Sequence, residues 1–301
     1  MKRVVFIGSK EPGLAVLKKL HQLDSSSLAG CITIDDSGDT RSCLGQFDAF
    51  CTQNAVKIEV LTKAKGLSSA IAGMKPDVCF VSGWYFLIDQ KTIDSVPMGM
   101  VGIHHSLLPA YRGFAPLVWA MINGEKEAGF SLFRICEQMD EGDIWASGTV
   151  EILHGDYISD VIKKVNASVL ELLERTYASI LNGNIKPKKQ DGAPIYCAKR
   201  IPEDGQIDWK KPASDIYNFI RAQAHPYPGA FTIYKERRLY IKKAVEYGGT
   251  YYGTPGQIGQ IFEDGALVIC GDSKGILLTE AEYDGKELCA REILHSLNIR
   301  L

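Results

Sequence analysis

The chain has 301 residues, with 34 Lys+Arg against 36 Asp+Glu, a net charge of −2 and 46% hydrophobic residues. That length suits one large or two medium domains, and the composition is that of a globular rather than a disordered chain. Near-neutral charge supplies no global field for nucleic acid, and no apolar run approaches the ~20 residues of a membrane span.

The start, Met1-Lys2-Arg3-Val4-Val5-Phe6-Ile7-Gly8, is basic and then apolar, but the apolar run is too short for a signal segment and breaks at Gly8. It reads as a first strand, 4–7. A helix over 15–23 follows, then a strand over 28–34, a helix over 45–54 and a strand over 56–60. A helix over 67–74 and a buried strand over 78–81 come next, then a helix over 90–96 and a fifth strand over 99–104. Continuous apolar strands alternating with amphipathic helices predict a mostly parallel sheet covered on both faces. The turn Gly8-Ser9-Lys10-Glu11-Pro12-Gly13 is neither G-x-G-x-x-G nor a Walker loop, so it points to no dinucleotide or P-loop site.

Further strands are predicted at 132–135 and 149–152. A long amphipathic helix runs over 160–181, with Ser159 as its candidate cap. The polar stretch from Asn184 to Gly192, with its Pro and charges, is the best linker candidate. Beyond it the character changes. After a helix over 214–221, short strands at 230–234, 239–243, 256–262, 266–270 and 276–279 are separated by turns such as Asp264-Gly265, which predicts a small antiparallel barrel.

The eight cysteines form no C-x-x-C pair and no Cys/His cluster with zinc spacing. With no export signal at the start, they read as reduced thiols of a cytoplasmic protein that holds no metal.

In an open parallel sheet, ligands gather at the carboxyl ends of the strands. The fifth strand ends in Gly102-Ile103-His104-His105 and opens an irregular loop, Ser106-Leu107-Leu108-Pro109-Ala110-Tyr111-Arg112-Gly113. Neighbouring strand residues point to opposite faces, so one of the two histidines faces the cleft. Downstream, Met139-Asp140-Glu141-Gly142-Asp143-Ile144 is an acidic glycine turn; it reads as a solvated turn or as the source of a carboxylate that fixes an imidazole's tautomer. A carboxylate–imidazole pair suits acyl-transfer chemistry, in which protons move at a tetrahedral centre.

The run His104-x-Ser106-Leu107-Leu108-Pro109-x-Tyr111-Arg112-Gly113-x-Ala115-Pro116-x-x-Trp119, then Asn123-Gly124-Glu125 and Asp140-x-Gly142-Asp143-Ile144, resembles the N10-formyltetrahydrofolate-dependent formyltransferases, the methionyl-tRNA formyltransferase branch being closest in pattern. Arg200-Ile201-Pro202-Glu203-Asp204-Gly205-x-Ile207-Asp208-Trp209 and Pro226-Tyr227-Pro228-Gly229-Ala230-Phe231 extend the resemblance towards the C-terminus. It implies an α/β fold: a Rossmann-like, mostly parallel N-terminal domain over 1–185, a linker over 186–205, and an OB-like β-barrel domain over 206–301.

By the same resemblance, His104 and Asp140 are the catalytic pair, and the formyl group passes from N10-formyltetrahydrofolate to a primary amine. The family's Asn, two residues before the His, is replaced here by Gly102. Its oxyanion donor would then come from His105, from a backbone N–H near Ser106, or from a water in the vacated space; a weakly active homologue is the remaining alternative. Losing one such donor typically costs on the order of 10²–10³ in rate. The folate would lie against Trp84, Tyr85, Leu87 and Ile88, with Ile135, Met139 and Asp140 at its polar edge. Trp84 and Tyr85 equally read as core packing. Ser106, Arg112 and Phe114 would border the acceptor, Arg112 either meeting an anionic group or bracing the loop.

Methionyl-tRNA formyltransferases carry a basic, glycine-rich insertion after the second strand. Here the matching stretch, Asp35-Asp36-Ser37-Gly38-Asp39-Thr40-Arg41-Ser42, has three acids and one base. A loop that grips phosphates should not be acidic. The expected acceptor is therefore an amino sugar, nucleotide-linked or a nonulosonate precursor of surface glycans, with no nucleic-acid or membrane partner. The alternatives are a methionyl-tRNA formyltransferase and a formyltetrahydrofolate-hydrolysing or folate-binding homologue. An exposed barrel edge could support a homodimer.

Overall fold

A computed structural model describes residues 2–301. In chain order it contains β1 (Val4–Gly8), α1 (Lys10–Asp24), β2 (Leu28–Ile34), α2 (Leu44–Gln53), β3 (Ile58–Leu61), α3 (Leu67–Met74), β4 (Val78–Ser82), α4 (Gln90–Asp94), β5 (Met100–His104), β6 (Arg112–Gly113), α5 (Pro116–Ile122), β7 (Glu127–Arg134), β8 (Ile144–Glu151), α6 (Ile158–Leu181) and β9 (Tyr196–Cys197). Then follow α7 (Ala213–Gln223), β10 (Ala230–Tyr234), β11 (Arg237–Tyr247), β12 (Ile258–Ile261), β13 (Ala266–Ile269), β14 (Gly275–Tyr283), β15 (Lys286–Cys289) and α8 (Ala290–Ile293).

The chain forms two compact units. The first comprises Met1–Gly113, Ala128–Val150 and Lys163–Cys197; the second comprises Phe114–Glu127, Glu151–Ile162 and Ala198–Leu301. The first is built on a seven-stranded sheet of order β3-β2-β1-β4-β5-β7-β8. Strands β3 to β5 pair in parallel, and β7 runs antiparallel to β5. This is the mostly parallel, Rossmann-like sheet expected from the alternating pattern. The order turns back on itself at β1 and β4, the point at which such sheets open a crevice. Val4, Val5, Phe6 and Ile7 are fully buried, each contributing about 1.5–3 kcal/mol by removal from water. Local signals set helix ends: the Asp89 carboxylate accepts the Thr92 N–H at 2.9 Å and caps α4.

The second unit is built on an antiparallel sheet of order β10-β11-β14-β13-β12, with β15 paired to β14. Register shifts between Ile241 and Ala244 bend β11, so one long strand serves β10 at one end and β14 at the other. The OB-like sheet wraps a core of Ile216, Ile220, Leu239, Ile241, Val268 and Leu278.

Three features differ from the sequence reading. Helix α5 has no predicted counterpart; every residue of Pro116–Ile122 is apolar, so the sequence shows no polar face to mark a helix, although the buried Leu117, Val118, Ala120 and Met121 fall at helical spacing. The start of α6 is held by Asp160, whose carboxylate accepts the Tyr157 N–H at 3.0 Å, and Ser159 lies inside the helix. The two units also do not divide the chain at a single linker. Residues 151–162 group with the second unit because Arg221 donates to the carbonyls of Leu153 (3.3 Å) and Asp156, and Tyr217 donates to that of His154 (3.2 Å). The first stretch of the expected linker is bonded into the first unit: Ile144 and Lys188 exchange backbone hydrogen bonds at 2.7 and 2.8 Å, and β9 pairs with β6.

Candidate active site

The site lies in the first unit, at the carboxyl end of β5. Strand alternation puts Gly102 and His104 on one face. Opposite them on β7 stand Phe133 and Ser131. Ser131 fastens the loop that follows: its hydroxyl donates to the Ser106 carbonyl at 2.8 Å and accepts the Leu108 N–H at 3.3 Å. The Ser106 hydroxyl turns inward as well, donating to the Ala110 carbonyl at 2.6 Å.

The loop returns to His104 through Tyr111, whose backbone has φ 57°. The Tyr111 carbonyl lies 2.8 Å from His104 Nε2. A carbonyl only accepts, so Nε2 carries a proton and Nδ1 is the nitrogen free to exchange one. Nδ1 lies 3.6 Å from Asp140 Oδ2. The same oxygen accepts the Gly113 N–H at 2.7 Å, so the loop after His104 positions the carboxylate that faces it. The sequence-predicted pair is brought together, and both members are largely buried.

The Asp140 turn has its own reason for glycine. A Cβ on Gly142 would lie 1.7 Å from the Arg134 carbonyl oxygen, and Asp143 accepts the Arg134 N–H at 2.8 Å. Only a residue without a side chain lets this turn fold onto the end of β7 and swing Asp140 back towards His104.

Gly102 has no vacant space beside it. A Cβ there would lie 2.5 Å from Phe133 Cε1 and 2.9 Å from Ile135 Cδ1. The water-filled gap considered from the sequence is thus occupied by a ring and a methyl group. Phe133 also meets His104 edge-on, centroids 6.4 Å apart. His105 retains some exposure, yet desolvation, with a smaller contribution from His104, pushes its imidazole down to about 4. At neutral pH it is an uncharged ring.

Arg112 is buried and fully engaged. Nη1 pairs with Glu141 Oε1 at 2.9 Å and donates to the Tyr196 hydroxyl at 3.0 Å; Nε and Nη2 donate to Gln190 Oε1 at 3.2 and 2.6 Å. These contacts are those of a brace within the protein, the second of the two readings offered by the sequence. Glu141, Gln190 and Tyr196 had no sequence signal, since their contacts join stretches distant along the chain. Phe114 begins the segment that groups with the second unit.

Trp84, Ile88 and Ile135 pack on one core cluster. Ile88 is a core residue, whereas Tyr85, Phe86 and Leu87 are exposed, Leu87 at 73%. Trp84 stacks edge-on with Phe86, and its Nε1 is buried without a hydrogen-bond partner among the described residues. An apolar rim beside an unsatisfied indole donor fits a flat heterocycle that brings an acceptor. Met139 reaches towards Gly113 from the Asp140 turn; its Sδ lies 3.5 Å from where a Cβ on Gly113 would sit. Among the described residues no His/Cys/Asp/Glu group could hold a metal ion, and no helix is long and apolar enough to cross a membrane.

The formyl transferase family profile matches residues 2–176, and that of the formyl transferase C-terminal domain matches 199–298. The methionyl-tRNA formyltransferase of Malacoplasma penetrans (strain HF-2) is 31% identical over 301 residues, covering 99% of this chain and 93% of that one. Among solved structures, the N-formyltransferase from Helicobacter canadensis in complex with folinic acid and dTDP-3-aminofucose aligns with a TM-score of 0.70 at 19% identity, over 93% of this chain and 99% of that one. HypX from Aquifex aeolicus in complex with tetrahydrofolic acid aligns with a TM-score of 0.66 at 18% identity, over 97% of this chain and 47% of that one. At these identities the structural likenesses bear on the fold.

Proposed function

The chain belongs to the formyl transferase family, and on that footing we propose that it moves the formyl group of N10-formyltetrahydrofolate to the primary amine of an amino sugar, nucleotide-linked or a nonulosonate precursor, in surface-glycan biosynthesis. It is a tetrahydrofolate-dependent formyltransferase; the amino-sugar acceptor is our reading.

When bound, N10-formyltetrahydrofolate supplies the formyl carbon that the amine attacks. Trp84 and Ile135 would wall its pterin, with Tyr85 and Leu87 along the same rim, Ile88 in the core on which Trp84 packs, and Met139 and Asp140 at its polar edge. His104 keeps its Nε2 proton on the Tyr111 carbonyl and offers Nδ1 to the proton that the attacking amine releases, and that proton passes on to the departing folate N10 as its bond to the formyl carbon breaks. Asp140 stands 3.6 Å from that nitrogen, where its charge favours a transient imidazolium. Gly102 provides no donor, and Phe133 keeps water from replacing one. Once it holds that proton, Nδ1 of His104 can itself donate to negative charge on the formyl oxygen.

The observation that carries the acceptor reading is the stretch after β2. Lys10 Nζ lies 2.7 Å from Asp36 Oδ2 and 3.0 Å from Asp39 Oδ2, and Arg41 Nη2 lies 2.9 Å from Asp39 Oδ2. Both cations at this corner are held by the loop's own acids, and Asp35 adds a further negative charge. A segment that grips a phosphate backbone needs basic groups free to displace counterions. The methionyl-tRNA reading is favoured by the 31% identity to the Malacoplasma penetrans enzyme over nearly the whole chain.

An acceptor screen decides between them. The enzyme is supplied with N10-formyltetrahydrofolate and either dTDP-linked amino sugars or charged initiator methionyl-tRNA, and formylated product is measured beside released formate. We expect product from an amino sugar and none from the tRNA. Turnover on tRNA alone overturns the acceptor assignment, and formate release without an acceptor makes the chain a hydrolase.

A further inference from the structure

We propose that Gln190, from the stretch expected to be a linker, is a positioning residue that sets the Asp140 carboxylate against His104. This rests on the reading of His104 and Asp140 as the reacting pair.

The side-chain amide of Gln190 is used at both ends. Its Nε2 donates to two carbonyls of the acidic turn, that of Asp140 at 2.7 Å and that of Gly142 at 2.8 Å. Its Oε1 accepts from Nε and Nη2 of Arg112. One amide thus ties the turn that carries Asp140 to the loop that carries Tyr111 and Gly113, the two backbone partners of the catalytic pair.

Asp140 needs such a tie. Its backbone has φ 56°, in the left-handed region that non-glycine residues rarely adopt. A strained residue persists only where its surroundings over-determine it. Gln190 holds the carbonyl of this left-handed residue.

Gln190 is itself anchored on both sides. Before it, Lys188 exchanges backbone bonds with Ile144; after it, Ile195 donates to the Pro109 carbonyl at 3.2 Å and accepts the Arg112 N–H at 2.8 Å. Residues 188–197 form a strap across both catalytic segments, with Gln190 near its start. Loss of this amide takes a donor from two carbonyls and an acceptor from Nε and Nη2 of Arg112, and frees the turn to relax from its left-handed conformation. A displacement of about 1 Å at a reacting group can cost on the order of 10²-fold in rate.

The test compares Gln190→Ala, Gln190→Glu and Asp140→Ala in the full-length enzyme. Gln190→Glu keeps an acceptor for Arg112 but sets a carboxylate against two carbonyls, so it isolates the turn side of the clamp. With N10-formyltetrahydrofolate and the acceptor that turns over, we expect Gln190→Ala and Gln190→Glu each to lower kcat by about 10-fold or more, with KM for the formyl donor changed by less than about threefold. In an Asp140→Ala background, Gln190→Ala should cost little further, because it acts through that carboxylate. Nitrogen-15 NMR of the His104 ring needs no acceptor: Gln190→Ala should move the Nδ1 resonance in the same direction as Asp140→Asn does. The inference is overturned if Gln190→Ala leaves both kcat and the His104 resonances unchanged while Asp140→Ala abolishes activity, or if its loss is undiminished in the Asp140→Ala background. If Asp140→Ala itself retains full activity, the reading of the catalytic pair falls instead.

Discussion

Phe133 stands directly across from Gly102 on the neighbouring antiparallel strand, and its ring edge lies 2.5 Å from the position a Cβ at residue 102 would take. The two residues divide one volume between them. A side chain at 102 therefore needs a smaller residue at 133.

Gly102→Asn alone should destabilise the protein by about 1–3 kcal/mol through overpacking and should not raise the formyl-transfer rate. Combined with Phe133→Ala, the Asn should cost less than the sum of the single changes by on the order of 1 kcal/mol. Urea unfolding of the four members of the cycle measures this. Strict additivity would show that the ring does not fill the site of the missing side chain.

His104→Ala and Asp140→Asn should each lower kcat by about 10²–10⁴, with unfolding midpoints close to that of the parent. Single-turnover rates with N10-formyltetrahydrofolate and a saturating acceptor separate this loss from product release. A rate within threefold of the parent for either variant contradicts their roles.

Arg112 lies inside the loop network, so its removal should be felt in stability more than in acceptor affinity. Arg112→Ala leaves Gln190 Oε1 and the Glu141 carboxylate without their partner, a loss of about 1–3 kcal/mol. The KM for the acceptor should change by less than about threefold if no acceptor phosphate reaches the guanidinium. A 30-fold or greater rise in that KM, with stability unchanged, would place Arg112 in the acceptor site.

His105 makes the fold sensitive to mild acid. Its folded imidazole sits at about 4, below the ordinary value of 6.5, because burial disfavours the charged form. Between those two values the unfolded chain holds more protons than the folded one, so stability is present above pH 6.5 and declines as pH falls towards 4. The partial exposure of the ring limits the effect to about 2 kcal/mol. His105→Gln should flatten the dependence of the thermal midpoint on pH in this window. An unaltered slope would show that another group carries it.

Much of this protein is legible in one dimension. Alternating apolar strands and amphipathic helices predict the parallel sheet because burial on both faces leaves that pattern in the residues themselves, as in the fully buried Val4-Val5-Phe6-Ile7. His104 and Asp140 stand out because a histidine at a strand end and an acidic glycine turn are local signatures. Helix α5 was not legible, since its run is apolar at every position and so carries no amphipathic period, and the stretch around Gln190 reads as a linker because composition reports polarity but not partners.

What the sequence by itself determined is therefore the layered first unit, the antiparallel sheet of the second and the candidate pair His104 and Asp140, all properties written in local pattern. The tertiary structure alone decided which side chains are free. It showed Arg112 engaged on Glu141 and Gln190, the space beside Gly102 occupied by Phe133, and Asp140 held by an amide 50 residues away. These depend on three-dimensional proximity between distant segments, and a hydrogen bond or a filled volume leaves no period in the chain.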